Sequence, residues 1–205
     1  MSEGVPDELI GVWRRECLSL DGGEPYEDSD VIWLQSRMRF AEIRTPVTVG
    51  SVDHEAAGGK QNWRSPRLTF HREIDYSRNY PDDVGIFSWE GETLIEHGNV
   101  EVGGKTVAYM ERWLRITPQN PAYKVLEQRD YGGTLVAIAV QVEQHLLTIA
   151  SGDGFSANHF ENSGDSWQHQ KAVGRAQTTD FARDIVDGAR KDFRVVDKGK
   201  VLNDG

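Results

Sequence analysis

One cysteine, Cys17, in 205 residues excludes an internal disulfide, and it lies inside a predicted strand, away from any His or helix start that would activate it. Long apolar runs are missing too: no segment approaches the roughly 20 residues that a membrane-crossing helix requires. Basic charge is scarce. Lys and Arg total 23 against 33 Asp and Glu, a net charge of -10, which argues against affinity for nucleic-acid phosphates or anionic membranes. The opening MSEGVPDELIGVW has neither a basic stretch nor an apolar core of signal-peptide length, so a cytosolic protein is expected. No Gly-x-Ser-x-Gly elbow, paired cysteines or His-Glu-x-x-His occurs, and Gly104-Lys105-Thr106 lacks the earlier glycine of a phosphate loop, position 99 being Asn.

What the chain does contain is 21 glycines and many short stretches that alternate apolar with polar residues, with no sustained helical periodicity before the last quarter. The expected fold is all-β: one antiparallel up-and-down β-barrel over residues 1–205, with a short C-terminal helix. Residues 9–20 form the first strand. Residues 30–46 form a hairpin turning near Gln35 and Ser36, whose second strand resists phasing: Met38, Phe40, Glu42 and Arg44 share one face, Ala41 and Ile43 the other, and a bulge is one explanation. Pro46, Gly58-Gly59 and Pro66 mark residues 47–66 as a long connection, a candidate lid with a short helix at 54–57 and Trp63 tucked onto the barrel. In residues 68–76, Phe70, Ile74 and Tyr76 fall on one face and His71, Glu73 and Asp75 on the other. Hairpins are expected at Glu90-Gly91-Glu92 and Gly103-Gly104, followed by a long strand with Tyr109, Glu111 and Trp113 on one face. Leu135–Val142 reads as a central strand, residues 152–170 as an irregular hairpin around Phe160 and Trp167, Thr179 as the cap of a helix carrying Phe181, Ile185 and Ala189, and 193–196 as a last strand.

Gly11-Val12-Trp13, Trp33-Leu34-Gln35, Ala41-Glu42-Ile43-Arg44, His71-Arg72-Glu73-Ile74-Asp75, Asp83-Val84-Gly85, Glu92 through Gly98 and Glu111-Arg112-Trp113 together resemble a family of uncharacterised bacterial proteins. That family is similar in turn to a small group of fungal proteins with lipocalin-like, calycin-type barrels. The resemblance spans Trp13 to Tyr131. It implies a lipocalin-like barrel with Trp13 closing one end, and no established activity.

Inward residues of neighbouring barrel strands stack in layers, so Arg44, His71, Glu73, Glu111 and Trp113 can converge as a polar patch in an apolar cup. The opposite strand parity would leave the same charges outside as solvated cross-strand pairs. The first reading of function is a cytosolic small-molecule binder, its ligand small, partly apolar and acidic, held by Gln35, Arg44, His71, Glu73 and Glu111 between walls of Trp33, Phe40 and Trp113. The second is an isomerase, lyase or hydrolase with His71 or Glu73 as general base and Arg44 or Arg112 stabilising an anion. The third is a protein-interaction module using the outer sheet and the C-terminal helix. His71, Glu73 and His97 lack the spacing of a metal site, so neither metal nor other cofactor is expected. Oligomeric state is not indicated.

Overall fold

The computed structural model describes residues 4–47, 54–77, 81–152, 154–164 and 166–200. Eight antiparallel strands close into a barrel: β1 (Gly11–Leu20), β2 (Ser29–Gln35), β3 (Arg39–Pro46), β4 (Glu55–Arg64), β5 (Arg67–Asp75), β6 (Asp83–Glu90), β7 (Thr93–Val102) and β8 (Lys105–Arg115). They follow one another around the ring, and β8 returns to pair with β1. The up-and-down barrel expected from the alternation is therefore present, with the hairpins at Gly91 and at Gly103-Gly104 where the turn residues put them. Leu9 lies in a 3-10 turn, Asp7–Leu9, that precedes the first strand.

The barrel is complete at β8. The remaining strands, β9 (Tyr123–Arg129), β10 (Leu135–Val142), β11 (His145–Ala150), β12 (Ser156–Asn162), β13 (Trp167–Gly174) and β14 (Arg194–Lys198), form a second, six-stranded sheet in the order β13-β12-β11-β10-β9-β14. Strand β10 is interior to that sheet, as its apolar run demands. Residues 156–162 and 167–174 pair as two full strands, and the expected irregularity is a register shift between His159 and Phe160. Helix α1 (Thr179–Val186) packs Ala182 and Ile185 on the sheet's outer face with Leu126, Leu146 and Phe160. Its cap is Thr178, one residue earlier than expected, whose Oγ1 accepts the Phe181 N–H at 3.3 Å.

The inner face of this sheet lies over β2 to β5. Ile138, Val140, Leu147, Ile149 and Ala157 join Ile32, Leu34, Ala41, Ile43 and Ala56 of the barrel wall in one apolar cluster. This explains why β3 could not be phased: both of its faces are shielded, one by the barrel interior and one by the second sheet. No bulge is involved, because the pairing of β3 runs unbroken on both sides.

The long connection expected over 47–66 is corrected. Residues 55–64 are strand β4, hydrogen-bonded between β3 and β5; residues 48–53 lie outside the described ones. Glycines that read as loop punctuation serve close packing here. A Cβ on Gly58 would lie 3.0 Å from Ile138 Cγ2 and 3.2 Å from Ile149 Cδ1, so a bare backbone is what lets the sheet seat on the barrel. Trp63, half-buried, does pack against the core.

The irregularity sits instead between β4 and β5. Gly58 pairs with Ile74 and Lys60 with His71, so Arg72 and Glu73 together oppose Gly59. This bulge reverses the inside-outside alternation halfway along β5. Phe70 and Ile74, expected on one face, therefore part company: Phe70 lines the interior, and Ile74, opposite Gly58, faces the second sheet.

Candidate functional site

The barrel interior divides into an aromatic floor and a charged mouth. At the floor Trp13 is fully buried, stacked on Trp33 at 6.0 Å between ring centroids and packed against Trp89 at 5.8 Å, and its indole N–H donates to the Leu9 carbonyl at 3.0 Å. Trp13 thus closes this end beneath the N-terminal 3-10 turn. Above it Trp33 meets Phe70 and Trp113 edge-on at 5.6 and 5.4 Å, and Phe40 meets Phe70 at 4.9 Å. Such edge-to-face packing suits the ring quadrupoles.

The mouth is a network of ions from five strands and the β1–β2 loop. Arg15 on β1 reaches Glu111 on β8 at 2.6 Å and Glu27 at 2.8 Å. Arg44 on β3 lies 2.8 Å from Glu42, 3.5 Å from Glu55 on β4 and 4.0 Å from Glu111. Arg72 on β5 pairs with Glu55 at 2.8 Å and Asp75 at 3.0 Å. Burial alone would raise the Glu55 pKa, but Arg44 and Arg72 outweigh it and lower it. Burial would lower the Arg44 pKa; its carboxylate neighbours Glu42, Glu111 and Glu55 drive it well above the usual value instead.

Below this network stands Glu96, on β7 directly across from Glu111. Its carboxyl is buried and accepts hydrogen bonds from the Tyr109 hydroxyl and the Trp113 indole N–H, both at 3.0 Å. Among the described residues no Lys or Arg comes within ion-pair distance of it. Burial, then the neighbouring Glu111 and Asp83, push its pKa well above the carboxylate range, and burial also raises Asp83 and Glu111. For Glu111 the pull of Arg44 and Arg15 runs the other way. Two glycines shape this corner. A Cβ on Gly85 would sit 2.5 Å from Glu96 Oε1, and one on Gly98 2.4 Å from the Tyr109 ring.

The cavity between floor and mouth is lined by Trp33, Phe40, Phe70 and Trp113 and by Glu42, Arg44, Arg72, Asp83, Glu96 and Glu111, with Ala57. The free space is about 20 Å³, room for a water molecule.

Of the residues singled out in the sequence, Trp33, Phe40, Arg44, Glu111 and Trp113 converge here. Gln35 is buried beside the site and orients it, accepting the Trp33 indole N–H at 3.1 Å and donating to the Ser36 carbonyl at 2.5 Å. His71 and Glu73 do not converge. Because Phe70 points inward, its neighbour His71 stands on the outer wall by simple alternation, where its Nδ1 lies 2.7 Å from Asp82, and Glu73 turns toward Arg129 of the second sheet at 3.7 Å. The general base proposed from these two residues thus has no access to the cavity. Arg112 is likewise outside, paired with Glu90 at 2.8 Å and Glu16 at 3.3 Å. His97 is exposed and apart from His71, and among the described residues no group of three His, Cys, Asp or Glu has metal-holding geometry. An acidic ligand also loses its anchor, because Arg44 is already engaged by three carboxylates. Sequence reasoning missed Arg15, Arg72, Asp83, Glu96 and Tyr109 as members of the site. The signal for Glu96 was present: Leu94 and Glu96 alternate in step with Trp113 and Glu111 across the hairpin.

A family model described as Protein HRI1 matches residues 11–200. Among solved structures, the uncharacterized protein YLR301w from Saccharomyces cerevisiae is similar with a TM-score of 0.64, at 13% sequence identity, over 82% of this chain and 89% of that one. At that identity the likeness is one of fold. No curated protein matches the sequence.

Proposed function

The chain belongs to the Protein HRI1 family, and from that starting point we propose that its barrel interior binds a small, partly apolar molecule with one polar end. The observation that carries this reading is Glu96: a carboxyl buried at the centre of the barrel, facing the cavity, hydrogen-bonded only by neutral groups among the described residues. A structural carboxylate is ordinarily buried with a cation beside it, because desolvating an unpaired charge costs several kcal/mol, on the order of the stability of a whole domain. The aromatic floor supplies the complementary apolar wall, and polar groups that converge beside such a wall are what orients a small molecule in a site. In this reading the barrel works as a lipocalin-like cup, closed at the Trp13 end, in a bacterial cytoplasm. The single, unpaired Cys17 agrees with a reducing compartment, and among the described residues no helix is long and apolar enough to cross a membrane.

The test compares the native mass of the purified protein with its denatured mass, and follows the indole N–H resonances of Trp33 and Trp113 while small fragments are added. A retained mass or displaced indole signals support the proposal. An apo mass together with unmoved indoles across the fragment set overturns it.

A further inference from the structure

Resting on that binding reading, we propose that the polar end of the ligand is a cation, an ammonium or amidinium on a small apolar body, which takes the place now held by the Arg44 guanidinium. The charge of the lining points this way: Glu42, Asp83, Glu96 and Glu111 face the cavity against Arg44 and Arg72. Arg72 is committed to Glu55 and Asp75 at the rim, so the interior holds more carboxyl groups than cations to balance them.

The volume points the same way. With about 20 Å³ free, nothing larger than water enters unless a side chain leaves. Arg44 is the lining residue best placed to go: its flexible side chain is 25% exposed, against 7% for Glu111, and it can swing outward while its aliphatic stem stays on the wall. Once it swings, Glu42, Glu55 and Glu111 lose a counter-charge in a low-dielectric site, so the incoming molecule has to restore a positive charge. An anion would bring negative charge to a wall rich in carboxyl groups, and a neutral ligand would leave Glu42 without the cation it now pairs with, while Glu55 keeps Arg72 and Glu111 keeps Arg15. A cation meets them, finds Glu96 beneath, and rests its body on the faces of Trp33, Trp113 and Phe70, where cation–π attraction adds to apolar contact. Arg44 is then the internal occupant of the site, and its departure sets the barrier to binding.

The probes are benzylammonium, benzyl alcohol and benzoate, titrated into the full chain at pH 7 with calorimetry and the Trp33 and Trp113 indole resonances as readouts. Benzylammonium is expected to bind at least about tenfold more tightly than benzyl alcohol, and benzoate to bind weakest of the three. Arg44→Gln, which removes the internal competitor, is expected to tighten benzylammonium by about tenfold; the isosteric Glu96→Gln is expected to weaken it and leave benzyl alcohol unchanged. Should Arg44→Gln fail to fold, Glu96→Gln decides alone. Benzyl alcohol or benzoate binding as tightly as benzylammonium, or benzylammonium affinity unmoved by either variant, overturns the cation proposal and leaves the binding reading standing. Silence from all three probes in the native chain and in Arg44→Gln overturns both.

Discussion

The two faces of strand β3 are both withdrawn from bulk water, by opposite means. Outward, Ala41 and Ile43 are fully buried against β10 and β11 of the second sheet, in a contact made of aliphatic side chains and one glycine. Inward, Phe40, Glu42 and Arg44 face a cavity crowded with ionisable groups. The outer contact needs no further explanation than area removed from water, about 25 cal/mol per Å². Its polar groups stand at its margins, as with Arg39 on Glu127 at 2.5 Å, and Asp197 accepting from Ser36 Oγ at 2.8 Å and from the Met38 N–H at 2.9 Å. The inner face keeps carboxyl groups where apolar residues of similar size would serve stability better. Burial thus takes two forms in this molecule: an apolar contact that seats the sheet on the barrel, and an interior of ionisable groups that apolar packing would not need.

The largest effect that would break this contrast comes from the outer contact. Ile138→Ala should lower unfolding stability by about 2–5 kcal/mol in urea titration, since it empties volume between two rigid layers. A loss under 1 kcal/mol would mean that the sheet is only loosely seated.

Next comes pH, where the two regions should show slopes of opposite sign. His159 sits in the second sheet beside His145, their rings stacked and their nitrogens 3.3 Å apart, near Lys171 and Asp30. Burial, then the neighbouring His145 and Lys171, lower its pKa from 6.5 to about 3. The unfolded chain therefore takes up this proton first, so its contribution is intact above pH 6.5 and is lost as pH falls toward 3. At 1.36 kcal/mol per pKa unit the loss is at most about 5 kcal/mol, and His159→Gln should flatten the slope. Glu96 acts in reverse. Its raised pKa means that the folded state holds the proton longer, so its burden is absent below pH 4.5 and grows as pH rises. Glu96→Gln should accordingly gain stability on the native chain at pH 7 and lose that advantage at pH 4. Parallel pH profiles for the two variants would refute the distinction.

A smaller effect sharpens the interior. Gly98→Ala drives a methyl into the Tyr109 ring and should cost about 1–3 kcal/mol, while shifting the Trp113 indole resonance through Glu96. A shift without destabilisation, or the reverse, would separate site geometry from packing. The smallest effect is at the rim. The Lys171–Asp30 ion pair joins sheet to barrel, with Lys171 Nζ also 3.3 Å from the Asp30 carbonyl, and Asp30 is about a third exposed. Asp30→Asn should cost about 1 kcal/mol or less by thermal denaturation.

Much of the barrel was legible because hairpins are local. Period-two alternation and turn residues specify β6, β7 and β8 without reference to distant parts of the chain, and they placed Glu111 and Trp113 on one face while leaving open which face is inward. Strand β4 was not legible, since Glu-Ala-Ala-Gly-Gly-Lys has small residues where an exposed strand would have bulky ones. Only the sheet pressed against Gly58 gives that smallness a reason. His71 and Glu73 were misplaced by parity, because alternation along one strand does not say which face is inward and Phe70 takes the interior; the bulge opposite Gly59 then parts Ile74 from Phe70 and leaves no mark in that alternation.

By itself the sequence determined the all-β character, the tight hairpins and the C-terminal amphipathic helix, because these depend on patterns within a dozen neighbouring residues. The tertiary structure decided that the barrel closes at eight strands, that the rest folds back as a separate sheet over β2 to β5, and that Glu96 rather than His71 stands at the centre. Those outcomes depend on which strand edges pair and which wall is covered. Such free energies arise between segments far apart in the chain, where local periodicity carries no information.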